Sequence, residues 1–342
     1  MAILRYILPA AMALLLTGCY ADFDPETDTK PVLCLNSLII AGEPIEVKVT
    51  HTWLYTDTAA EENHQVTDAR VTVFANDHVV GSDYLPAEGD KIRIVADSPA
   101  YGTASAEVEV PRAVPVEKIT VKPVVTDMWL SEQALANGEL MARMNFMLNI
   151  EMDIDDPADV DNYFKFDYNW YTPSSEDGEG AMYSHSYYYS SLAIRDLDYH
   201  AEPIFKEHIG LFDMMNGDWE YMDFSFFSDR QFAGKTYPLH LNFQNCFFDI
   251  RTEADDDSLF DCGVNIYLAT ISRSSYNWAL YEWNVDEGII VDLSDLGLAE
   301  SRWGYSNVST GAGVVAARTL REYKIDLKDF LMQALSEYRQ EK

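Results

Sequence analysis

The chain has 342 residues, with 57 acidic and 24 basic side chains and a formal net charge of −33. Such a surface repels phosphate backbones and anionic lipid headgroups, so nucleic-acid binding is excluded. A hydrophobic content of 48% with 13% aromatics supplies a packed core, so this is not a disordered chain.

At the N-terminus Arg5 precedes an apolar run, Tyr6–Leu16, and Leu16-Thr17-Gly18-Cys19 fits the lipobox pattern of a leucine, two small residues and a cysteine. This is the order of a secretory n-region, h-region and cleavage site. Residues 1–18 are read as a lipoprotein signal peptide, with Cys19 as the acylated first residue of the mature chain. The apolar run is well short of the roughly 20 residues needed to span a bilayer, so the lipid is the membrane contact. Residues 19–30 are acidic and broken by Pro25, which reads as a flexible tether. An acidic tract at this place resembles the surface-export signal of Bacteroidota lipoproteins. That resemblance implies an outer-membrane protein facing the cell exterior.

Residues 31–112 read as short alternating strands: Val32–Ile40, Ile45–Thr52, Val71–Ala75, Val79–Tyr84, Ile92–Ala96 and Ala104–Val110. Turn chemistry separates them, as at Asn76-Asp77-His78 and Ala87-Glu88-Gly89-Asp90. The expected unit is a small antiparallel β-sandwich of immunoglobulin-like or transthyretin-like type. Pro111 and Pro115 stiffen the stretch that ends it.

Residues 113–342 are also β-rich, so the fold class is all-β with minor α: the small sandwich, then a larger antiparallel β-rich domain with short helices. Strands are expected at Val116–Val125, Ala142–Asp153, Tyr163–Tyr171, Trp219–Phe227, Thr236–Ile250, Gly263–Ser272 and Arg318–Ile325. Helical pattern is confined to Ser131–Asn137, Ser274–Asn284 and Leu327–Gln340.

Cys246 and Cys262 flank a polar turn at nearly equal distances from its centre, so a hairpin there would bring them into disulfide register. Cys34 reads as a small apolar core residue. Asp153, Asp155, Asp156, Asp159 and Asp161 crowd carboxylates as a Ca²⁺ loop would, but without an EF-hand's glycine and terminal glutamate; a solvated aspartate turn is the other reading. No other cofactor is indicated. His200 and His208, with Glu202 and Glu207 nearby, give a weak metal signal, and ordinary surface residues are the favoured reading. Strand alternation puts Phe164, Phe166, Tyr168 and Trp170 towards a core and Tyr163 on the opposite face. Tyr163, Tyr187, Tyr188 and Tyr189 are candidates for an amphipathic ligand or partner surface, with edge or core packing as the alternative.

Several blocks resemble, in order, the Bacteroidota lipoproteins grouped as domain of unknown function 4249. They are Val32–Pro44, Val66–Val73, Val110-Pro111, Asp161-Asn162-Tyr163-Phe164, Phe227–Tyr237, Ile271–Tyr276 and Tyr305–Gly313. Here Val314-Val315-Ala316-Ala317 follows the last block, where the family usually has an aromatic residue. The resemblance implies an accessory lipoprotein partnered with an outer-membrane TonB-dependent transporter, and it supplies no catalytic residues.

No G-x-S-x-G, H-E-x-x-H or G-x-x-x-x-G-K motif is present. The expected function is therefore non-enzymatic ligand capture for a transport system. The alternatives are a surface hydrolase acting on glycans or peptides, and a structural or adhesive surface protein.

Overall fold

The computed structural model describes residues 30–53, 64–130, 141–172, 190–194, 197–198, 202–207, 225–251, 257–286 and 304–341. Cys19, tether residues 20–29, Tyr187–Tyr189, His200, His208 and the helical candidate Ser131–Asn137 lie outside them. The described chain is mostly β, as the alternating runs predict, with two α-helices.

In the first region β1 (Leu33–Ile40), β2 (Lys48–His51), β3 (Arg70–Ala75), β4 (His78–Val80), β5 (Lys91–Ser98) and β6 (Gly102–Glu109) fall on the expected runs. Alternation decides which side of each is buried. In β1 Leu33, Leu35 and Ile39 point inward, and in β5 Ile92, Ile94 and Ala96 do. Asn76 and Asp77 both take positive φ, which suits the two-residue connection between β3 and β4.

The second region holds β7 (Val116–Leu130), β8 (Met141–Asp155), β9 (Tyr163–Tyr171), β10 (Ser190–Ala193), β11 (Phe226–Ser228), β12 (Thr236–Arg251), β13 (Gly263–Ile271) and β14 (Val315–Asp326). Helix α1 (Arg273–Asp286) precedes β14, and α2 (Lys328–Glu341) follows it. Pro123 is accommodated in β7 because that strand is the edge of its sheet.

The described residues form three sheets, ordered β11-β9-β13-β14-β1-β2, β10-β12-β8-β7 and β4-β3-β5-β6. The six-stranded one joins the ends of the chain: β1 pairs in parallel with β14 from Ser37↔Val315 to Ile40↔Arg318. Residues 32–342 accordingly form one compact unit. Among the described residues two large cores flank this sheet, with a minor cluster of Phe226, Ala269, Ile271 and Tyr276 beside α1. The smaller core gathers Leu33, Leu35, Ile92, Ile94, Ala106 and Val108, and is completed by Val308, Val315 and Ala317 from the far end of the chain. The first β unit thus shares its second layer with β14. The larger core lies between β8 and β12 on one side and β9 and β13 on the other, closed by Leu327, Leu331 and Leu335 around α2. Phe164 and Phe166 of β9 enter it fully, whereas Trp170, near the strand's end, is 44% exposed.

The expected Cys246–Cys262 hairpin does not form. β12 pairs with β8 and β10, whereas β13 pairs with β9 and β14, so the polar turn joins two different sheets. No disulfide links the two residues, and both thiols are buried in the larger core. A bulge at Gln244-Asn245, with Asn245 at φ 52°, shifts the register so that Phe243 and Cys246 are buried on the same face. Burial, reinforced by Asp261 and Asp326, pushes the Cys262 thiol up to about 12. Cys34 is half-buried, and burial raises its thiol too.

A buried, protonated thiol is a poor nucleophile. Native protein is therefore expected to leave Cys246 and Cys262 unmodified by a thiol reagent. Intact masses with and without reductant are expected to coincide. A mass difference of one hydrogen pair would restore the disulfide.

Candidate functional site

The end of β13 sets the problem that builds the site. Its last paired residue, Ile271, sits opposite Arg318, so β14 continues towards Val315 with no β13 neighbour. The carbonyls of Ala312 and Val314 turn towards β1, where they accept from the N–H groups of Leu35 and Ser37. The N–H and C=O of Val315 point the other way and need other partners. Asn307 supplies both: its Oδ1 accepts from Val315 N at 2.9 Å, and its Nδ2 donates to Val315 O at 2.7 Å. Ser274 Oγ donates to the same carbonyl at 2.9 Å. Ser272 Oγ accepts from Ala317 N at 3.0 Å and from Ser275 N at 3.2 Å, which also caps the start of α1. The loop returning to β14 presses on β1, where a Cβ at Gly313 would stand 2.2 Å from Leu35 O and one at Gly311 2.4 Å from Leu33 O. Only glycine fits there.

A second latch holds the β8–β9 loop. Asp229 Oδ2 accepts from Asn162 N at 2.6 Å, and Asn162 O accepts from Asp229 N at 3.0 Å. Asn162 Nδ2 donates to Asp156 Oδ1 at 2.9 Å, and Gly234 N donates to Asp156 Oδ2 at 2.8 Å. Burial raises the carboxyls of Asp156 and Asp229, and the charge of Asp156 raises Asp229 further. Beneath lies a third anchor. Glu207 accepts from Ser228 N and Oγ at 2.9 and 2.5 Å and from Tyr276 OH at 3.4 Å. Burial raises the Tyr276 phenol well above its usual range, helped by the charge of Glu207.

Ser272, Ser274 and Asn307 of the first latch and Asn162 of the second line a cleft of about 730 Å³, within the size range of small-ligand sites. Val114 of the Pro111–Pro115 stretch is fixed beside it, its N–H donating to Thr270 Oγ1 at 3.1 Å. Asp155 comes from the end of β8, Asp161 from the β8–β9 loop, Tyr163 from the start of β9, Arg273 and Asn277 from α1, and Tyr305 from the returning loop. Tyr163, expected as a recognition residue, lines the cleft and packs on Tyr276 with ring centroids 4.5 Å apart.

The five aspartates weighed for calcium do not converge. Asp155 accepts from Thr236 Oγ1 at 3.1 Å, Asp156 turns inward to its latch, and Asp159 and Asp161 are exposed. Among the described residues no three His, Cys, Asp or Glu side chains are placed to hold a metal ion. Glu202 and Glu207, read as part of a surface, are structural anchors: Glu202 is fully buried, accepting from Tyr237 OH and, at 2.8 Å, from His240 N. Among the described residues no helix is long and apolar enough to cross a membrane.

The model of the domain of unknown function DUF4249 matches residues 20–323. The chain belongs to this family. No curated protein and no solved structure matches it. Four of the seven sequence blocks that resemble the DUF4249 pattern supply residues to one cleft: Pro111, Asp161 to Tyr163, Ile271 to Ser274, and Tyr305 with Asn307. A fifth block, Phe227–Tyr237, provides Asp229 and Gly234 of the latch. Motif reading picks out these segments, but their meeting place depends on the β1–β14 pairing, which no local pattern announces. Arg112, Arg273 and Asn277 were not singled out, because isolated polar residues carry no periodic signal.

The raised carboxyls give the latch a pH signature. A carboxyl whose folded pKa exceeds its unfolded one stabilises the fold most when protonated. That contribution is complete below the unfolded value of about 3.9 and is lost as pH rises through the folded pKa. Asp229→Asn stays neutral, so its stability in urea is expected to decline less than the parent's from about pH 4 upward. Equal declines in both proteins would contradict the assignment.

Proposed function

We propose that this chain is a lipid-anchored outer-membrane protein, facing the cell exterior, that captures a ligand for a TonB-dependent transporter without transforming it. The lipobox ending at Cys19 and the acidic tether after it support the anchorage and the exposure. One observation carries the capture role: the family's segments converge on a cleft of ligand size. In that cleft the chain's own hydrogen bonds have consumed Asn162, Ser272, Ser274 and Asn307. Exposed charges and amides remain at its rim, which suits reversible recognition and release. Tyr187–Tyr189, outside the described residues, are candidates for the partner contact by their sequence.

Full-length protein purified from detergent-solubilised outer membrane is expected to bring down a β-barrel transporter. Cys19→Ala should release it from the membrane fraction, and protease added to intact cells should degrade the parent. Recovery without any barrel partner would overturn the transport role, and protection from external protease would overturn the exposure.

A further inference from the structure

The capture reading leaves the ligand's chemistry open, and the cleft constrains it. Glu107 and Glu109 reach it from β6, Asp155 from the end of β8, Asp161 from the β8–β9 loop, Arg112 from the proline-flanked stretch and Arg273 from α1. Charges of both signs in one depression would ordinarily be expected to pair. Here, among the described residues, the side chains of Arg112, Arg273, Asp161 and Asn277 enter no hydrogen bond or ion pair within the chain. Two arginines elsewhere in the fold do pair: Arg143 holds Asp249 bidentately, with both contacts at 2.6 Å, and Arg321 meets Glu88. The Arg112 guanidinium also has a defined seat, since its Nη2 lies 3.0 Å from where a Cβ on Gly89 would be.

Each simple ligand class leaves part of this set unmatched. An anion would face four carboxylates, and a cation two arginines. A neutral sugar would stack on Tyr163 and Tyr305 but neutralise neither sign. A ligand with an ammonium group, a carboxylate and amides between them meets all of it. The carboxylates take the ammonium, the guanidiniums take the carboxylate, and Asn277 with the tyrosines takes the amide-bearing middle.

We propose that the cleft binds short zwitterionic peptides, recognised by their two charged ends. This rests on the capture reading and specifies its ligand. Because carboxylate recognition by arginine is charge-assisted, blocking either peptide end should be costly.

The test offers full-length protein a random tetrapeptide pool mixed with the same pool N-acetylated and C-amidated, and quantifies retained species by mass spectrometry. Free peptides are expected to be retained at least tenfold over blocked ones. Arg273→Ala should remove most of that preference, and Asn277→Ala should weaken retention of both pools. Because both positions lie at the exposed or half-exposed start of α1, unchanged unfolding midpoints are expected to accompany the losses. Equal retention of free and blocked pools would overturn the proposal. So would retention of maltotetraose in place of peptides; if Asn277→Ala abolished that retention, ligand capture would stand while its peptide specificity fell. Failure to retain either class, together with no transporter recovered from the membrane, would end both.

Discussion

Strand β14 has to satisfy two neighbours in succession, and the rest of the molecule is arranged around that demand. Its first residues pair in parallel with β1 and its remainder pairs antiparallel with β13, with Arg318 at the changeover. Its inward side chains divide likewise, Val315 and Ala317 entering the smaller core and Ile325 the larger. A parallel pair needs a long crossover, and here almost the whole chain serves as one. The two hydrophobic cores therefore share a backbone element, so neither is complete without β14.

The polar chemistry follows from the same geometry. Where β14 outruns β13, its orphaned N–H and C=O groups would each cost about 1–3 kcal/mol if buried without a partner. Asn307, Ser272 and Ser274 meet them, and in doing so draw the start of α1 and the returning loop to one place. Asp229 and Asp156 do the same for the β8–β9 loop, at the expense of two carboxyls held above their usual range. The cleft forms where these anchored segments meet. The polar groups of its floor are used up in hydrogen bonds, while the neighbouring positions Asp161, Arg273, Asn277 and Tyr305 remain available. Adjacent residues in one segment thus divide between holding the fold and facing a ligand.

Much of this was legible in the sequence. Period-2 alternation with turn residues located nearly every described strand, and the Leu327–Leu335 stripe located α2, because those signals are local. Three features were not. The β1–β14 pairing joins residues such as Ser37 and Val315, and nothing local encodes it. The polar turn before Cys262 resembles a hairpin turn but crosses between sheets, since a turn fixes chain reversal and not the choice of partner strand. The Gln244-Asn245 bulge breaks alternation by one residue, so Cys246 faces opposite to a simple count. At the site, the aspartate-rich run suggested a cation loop, yet Asn162 and Gly234 hold Asp156 inward while Asp155 accepts from Thr236. Tyr163 was found because aromatic alternation marks it, whereas Arg273 gave no pattern.

Native-state hydrogen exchange tests the shared role of β14 most directly, since it reports the opening free energy of each strand separately. If one strand completes both cores, the slowest amides of β1, β5 and β13 exchange with a common opening free energy and a common denaturant dependence. Opening of β3–β6 at a clearly lower free energy, with β13 and β14 still protected, would contradict it and show two independently stable units.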